Sequence, residues 1–232
     1  MKRVNLLAAG IFVLGQALSG GAAAAPVTLS GSTVDFSFDD AWLGLFGPAS
    51  VSGDTLYFTP TAFDAQSSNG AGFSLANATI NVTLAARSGY AFNTLDLVER
   101  GDYLLLGSGG TVDVGGQIRV FDVAAPLTDM TAGIASTAPL TTPGLPTHNW
   151  TATASANVSA LDARVLNVTV ENLLLASTSN PVSLAFIEKK FAGLSVGTVA
   201  VTPVPEADTY AMMLAGLGLV GWAALRRRAT RK

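Results

Sequence analysis

The sequence has no cysteine. Disulfides, thiolate metal sites and cysteine nucleophiles are therefore excluded. It has a single histidine, His148, so a serine or metal hydrolase would have to use that residue as base or ligand. No twelve-residue calcium loop is present. Basic residues are scarce away from the two ends. Residues 25–203 hold six, Arg87, Arg100, Arg119, Arg164, Lys189 and Lys190, against fourteen acidic ones, a formal charge of −8. The whole-chain value of −3 conceals this, because most of the bases sit at the termini. A net-acidic body with scattered cations argues against binding to a phosphate backbone, which needs clustered Lys and Arg. Between the ends there is neither a repeat of fixed period nor a sustained amphipathic helical period.

What is there is alternation. Residues 33–38 read Thr-Val-Asp-Phe-Ser-Phe, residues 55–59 Thr-Leu-Tyr-Phe-Thr, and residues 78–85 place Ile80, Val82 and Leu84 on one face. Further strands are expected over 90–98, 103–106, 116–123, 150–156, 163–174, 182–187 and 194–202. Turn chemistry separates them at Ser52-Gly53-Asp54, Ser68-Asn69-Gly70, Ser88-Gly89, Arg100-Gly101-Asp102, Ser108-Gly109-Gly110 and Asn180-Pro181. About ten short strands at this spacing predict a mainly β body, an antiparallel β-sandwich of jelly-roll-like form. Residues 124–149 carry four prolines and no alternation, and are expected to form a long loop. Lys189-Lys190 is expected at a charged edge or hairpin tip, where it would block edge pairing.

The two ends read differently. Met1-Lys2-Arg3, the apolar run 4–18 and the small residues that follow form the n-region, h-region and cleavage site of a secretory signal. Because Pro26 disfavours a cut after Ala25, cleavage is expected after Ala24, with Ala22 three positions before it. At the other end, residues 210–225 are sixteen positions without a charge, ~24 Å as a helix. Arg226, Arg227 and Arg228 follow as a membrane-stop cluster that stays cytoplasmic. The expected organisation is a signal peptide (1–24), a β-sandwich body (25–203) and a tail (204–232) with a transmembrane helix over 210–225.

Val204-Pro205-Glu206, a short polar step, the apolar helix and the arginine cluster together resemble the PEP-CTERM sorting domain. Ala207 stands where that motif usually has a second proline. The resemblance implies an exosortase-type membrane transpeptidase as partner and a transient stay at the inner membrane of a Gram-negative-type bacterium. Delivery to the cell surface or extracellular matrix would follow. A plain tail anchor, which would retain its arginines, is the alternative. No Leu-Pro-x-Thr-Gly motif precedes the helix, which disfavours a sortase signal.

Within the body, several groups invite a chemical reading. Asp35, Asp39 and Asp40 supply oxygen ligands for Ca²⁺ if they converge at a strand end. Glu99 with Asp102, or Glu171 with Glu188, would serve as a glycosidase pair if brought to the right separation; otherwise they are surface charge. Most of the aromatics Phe36, Phe38, Trp42, Phe46, Tyr57, Phe58 and Phe63 are expected in the core. Trp150, beside the long loop, is the one singled out for ligand contact. His148 is expected to be a solvated loop residue. Asn77, Asn81, Asn149, Asn157 and Asn167 fit the Asn-x-Ser/Thr pattern, which a chain this rich in Ser and Thr yields by chance. No constellation assembles in sequence. The expected function is therefore a non-enzymatic surface or matrix protein with a structural or adhesive role in exopolysaccharide or biofilm, requiring no cofactor and no metal. A carbohydrate-binding module is the alternative, and a polysaccharide-active enzyme the third reading.

Overall fold

The computed structural model describes residues 26–201 and 207–229. Both signal-peptide positions, Ala22 and Ala24, and the Val204-Pro205-Glu206 entry lie outside the described residues. The body is built of β1 (Val27–Ser30), β2 (Val34–Phe38), β3 (Ala49–Ser52), β4 (Thr55–Phe58), β5 (Phe63–Ser68), β6 (Gly72–Ala86), β7 (Tyr90–Leu106), β8 (Gly110–Asp122), β9 (Ala125–Gly133), β10 (Ala135–Ser136), β11 (His148–Asn157), β12 (Val165–Thr178) and β13 (Leu184–Ala200). A six-stranded sheet runs β1-β2-β6-β12-β8-β9. A second sheet runs β10-β11-β7-β13-β4-β3, with β5 also paired to β13. Every pairing is antiparallel. The body is thus a mainly β sandwich, as the alternation predicts.

The core is where the two inward faces meet. Ile80, Val82 and Leu84 face in from β6, Leu166, Val168 and Val170 from β12, and Leu95 and Leu97 from β7. Side chains of strands alternate between faces, so each apolar residue at every second position adds to one layer. The expected aromatic core is present: Phe46 packs on Phe58 at 5.4 Å and edge-on to Phe63 at 5.9 Å between ring centroids. Trp42 departs from it, being 75% exposed at the end of the short helical turn Asp40–Trp42.

Three expectations need correction. Arg100-Gly101-Asp102 is not a turn but the middle of the single strand β7. Residues 182–187 and 194–202 are likewise one strand, β13, and Lys189-Lys190 lies inside it rather than at a hairpin tip. Here β13 pairs with β7 along its length and carries a β-bulge between Lys189 and Phe191. The bulge inserts Lys190 as an extra residue, which lets Lys189 keep the inward phase of Ala185 and Ile187 while Ala192 resumes it. Residues 124–149 are also not one loop, since β9 and β10 occupy their first half.

The tail forms a helix, α1 (Ala207–Ala229), over and beyond the residues expected. Among the described residues, however, no helix is long and apolar enough to cross a membrane. Seven of the sixteen uncharged residues in 210–225 are alanine or glycine, and sixteen fall short of the ~20 apolar residues a span needs.

Candidate functional site

Two polar groups stand out, one in the tail and one in the core. In α1, Met212, Met213, Leu214, Leu217, Leu219, Val220 and Trp222 are all exposed. Between residues 212 and 222 these exposed apolar side chains face every direction around the helix axis. Arg226 closes this run. Its guanidinium lies over the Trp222 ring at 4.8 Å, one helical turn away, a cation–π arrangement suited to a membrane–water boundary. Arg227 and Arg228 continue the helix.

In the core, Lys189 Nζ lies 2.8 Å from Glu99 Oε2, and both side chains have no exposure. Three features make room for them. Glu99 is flanked in the ladder by Ala152 of β11 and Ala192 of β13, both small. Gly101 stands opposite Lys189. The Phe63 ring, from β5, lies 4.7 Å from Nζ. Asn172 faces in from β12 of the other sheet, 2% exposed, and its amide adjoins the Glu99 carboxyl. Burial pushes the Glu99 carboxyl up, against the influence of Lys189 and Asn172. Burial likewise pulls the Lys189 amine down, against Glu99. Both shifts favour the neutral forms. Lys189 Nζ, both Glu99 oxygens and both amide atoms of Asn172 lack an aligned hydrogen bond.

As sequence, Glu99 reads as surface charge and Lys189 as an edge residue, and Asn172 belongs to no chemical motif. A signal was available. Each of the three interrupts an apolar inward series at its own phase: Glu99 after Leu95 and Leu97, Lys189 after Ala185 and Ile187, Asn172 between Val170 and Leu174.

A neighbouring group lies on the outer side of the same strands. Lys190 Nζ is 2.6 Å from Asp102 Oδ2 and 2.8 Å from Glu188 Oε1. Burial opposes ionisation of Asp102, but Lys190, Glu188 and Thr147 together hold its carboxyl below the usual value. Burial, with Asp102 nearby, pushes Glu188 up, and the two carboxylates hold the Lys190 amine above its usual value.

The expected pairs do not assemble. Glu99 and Asp102 differ by an odd number of positions on one strand and point to opposite faces. Glu171 is exposed on β12, accepting from Gln117, while Glu188 is on β13 in the other sheet. Asp35 binds Arg87 at 2.8 Å, and Asp39 accepts from the Ala41 N–H, so neither converges with Asp40. Among the described residues no three His, Asp or Glu side chains gather as metal ligands.

Trp150 is buried rather than available to a ligand, because its indole N–H is shared between the carbonyls of Asp102 (3.2 Å) and Glu188 (3.1 Å). His148 opens β11 and packs its ring 5.6 Å from that of Tyr103, so it is not a solvated loop residue. Within the described body the exposed tryptophan is Trp42. It walls a groove of about 460 Å³ on the outer face of the first sheet, with Asp39, Asn81, Thr83 and Asn167 along it.

Residues 203–228 match the family model described as the PEP-CTERM protein-sorting motif. The chain carries a PEP-CTERM sorting tail. The motif implies exosortase processing in general, and export to the cell envelope or surface. No curated protein matches this PEP-CTERM chain. Among solved structures, it resembles the VP2 subviral particle of infectious bursal disease virus at 14% identity and a TM-score of 0.25, over 74% of this chain and 49% of that one. It also resembles TmCBM61 in complex with β-1,4-galactotriose at 9% identity and a TM-score of 0.19, over 58% of this chain and 89% of that one. The chain thus spans about half the length of the viral protein. Likenesses this low say nothing about function.

Proposed function

We propose that this PEP-CTERM protein is exported across the inner membrane of a Gram-negative-type bacterium and trimmed at its tail by an exosortase-type transpeptidase. It is then released to the cell surface or matrix, where its body has a structural or adhesive role in exopolysaccharide or biofilm. The observation that carries this reading is the sorting motif joined to a helix apolar on all sides and closed by arginines. Signal cleavage after Ala24 starts the route. The body works without catalysis, consistent with carboxylates that are engaged with cations or lie on opposite faces.

The test is fractionation of a host that makes an exosortase, followed by mass analysis of the mature ends. The released protein is expected to begin at Ala25 and to lack Arg226–Arg228. Replacing Pro205 and Glu206 by alanine should hold it in the membrane fraction with its arginines. Release of that variant, or arginines retained on the released wild type, overturns the route.

A second reading, carbohydrate binding, is favoured by Trp42. An exposed indole beside amide, hydroxyl and carboxylate groups suits a sugar ring, whose apolar face stacks while its hydroxyls bond. Wild type is expected to sediment with the host exopolysaccharide and Trp42→Ala to lose at least tenfold in retention. Equal retention excludes this groove.

A further inference from the structure

A buried ion pair is tolerable when its remaining donors and acceptors are satisfied. The one between Glu99 and Lys189 is not. Nζ, Oε1, Oε2 and both amide atoms of Asn172 lie in the core without an aligned hydrogen bond. What is gathered there is a primary amine, a carboxyl and a carboxamide, each on a different strand, with the amine and the carboxamide both at the same carboxyl. Apolar and small residues surround them and the Phe63 ring closes one side. These are the parts of an amide-exchange reaction, held where water is excluded.

We propose that Lys189 Nζ and Asn172 Cγ join in an intramolecular isopeptide bond, with Glu99 as the acid–base group, covalently linking the two sheets. Glu99 first takes a proton from the Lys189 ammonium, leaving a neutral amine, the direction in which burial drives both groups. The Nζ lone pair attacks Cγ of Asn172 while the protonated Glu99 donates to Oδ1, giving a tetrahedral centre. Glu99 then relays a proton from Nζ to Nδ2, the Cγ–Nδ2 bond breaks, ammonia leaves, and Glu99 takes back the Oδ1 proton as the carbonyl re-forms. The atoms balance: amine plus carboxamide give secondary amide plus ammonia, with no oxidant, reductant or cofactor. Antiparallel ladders fix β7, β12 and β13, so the reacting groups meet at high effective concentration, the condition under which an otherwise slow acyl transfer proceeds.

The chain provides its own assay. Trypsin cuts after Arg164, Lys189 and Lys190, so Asn172 and Lys189 fall in one stretch. The purified full-length protein, denatured and digested, is expected to give a peptide 165–190, uncut after Lys189 and lighter by one ammonia. Glu-C protease cuts after Glu171, Glu188 and Glu206, so fragments 172–188 and 189–206 should stay joined. Glu99→Gln, checked for a native circular dichroism spectrum, should release the two as unmodified fragments. Efficient cutting after Lys189 in the wild type overturns the proposal, whatever the variants do. So does loss of ammonia with Lys189 still cut, which marks a succinimide at Asn172, or loss of water, which marks a Glu99–Lys189 amide. A Glu99→Gln protein that stays linked overturns the role given to Glu99.

Discussion

Gly101 shows how one residue without a side chain organises its surroundings. It pairs with Trp150 on one side and Lys189 on the other. A Cβ there would collide with the Glu188 carbonyl oxygen and lie 2.8 Å from the Trp150 ring. The indole therefore occupies the space a side chain would take, and its N–H reaches the two carbonyls that flank the gap. Gly101→Ala must displace the ring, break that shared hydrogen bond and overfill the core, at a cost of about 3 kcal/mol. Urea unfolding of the two proteins measures it. Gly115→Ala on β8 is the control, because no atom lies within 4 Å of a Cβ built there; it is expected to stay within about 0.5 kcal/mol of wild type. Equal effects at the two glycines would remove the packing argument.

At the scale of elements, the strands visible in the sequence are those whose alternation runs unbroken, such as residues 78–85 within β6 and 163–174, of which 165–174 lie in β12. The long central strands β7 and β13 each read as two in the sequence, and for the same cause. Each carries charge and glycine or lysine at mid-length, which as isolated sequence reads as a turn. Tertiary pairing overrides that local signal: Gly101 is required by Trp150, Lys189 by Glu99, and Lys190 is the inserted residue of a bulge. The bulge sits where β13 changes its outer neighbour, pairing with β5 through residues 184–189 and with β4 through residues 192–195. Such a switch depends on residues far apart in the chain and has no local signature. The sorting tail was legible because its parts are contiguous. The core triad was not, because Glu99, Asn172 and Lys189 come together only through the sheet order. In phase they were nonetheless conspicuous, as polar residues in apolar registers.

At the scale of the whole molecule, the ionisable groups set how stability varies with pH. Asp35, held low chiefly by its bond to Arg87, and Asp102, held low despite burial by Lys190, Glu188 and Thr147, have folded-state values below their unfolded ones. Their contribution is present above the unfolded carboxylate value, about 3.9, and is lost as pH falls through the lower folded values. Glu99 and Glu188 are raised, chiefly by burial. Theirs has the opposite sign: it is full below the unfolded value, about 4.3, and is lost as pH rises through the raised folded values. Stability should therefore peak in weakly acidic solution and decline on both sides. The Asp35–Arg87 pair is only part-buried and is screened by solvent, so Asp102 dominates the acid side. Lys190→Met removes the cation that holds Asp102 down, leaving burial opposed only by Glu188 and Thr147. Asp102 is then depressed less, and the optimum moves to lower pH while the acid-side decline weakens. Thermal melts of wild type and Lys190→Met from about pH 3 to about pH 8 test this. Superimposable profiles would show that Asp102 titrates alike in the folded and unfolded chains, and that the contacts around Lys190 do not bear on stability.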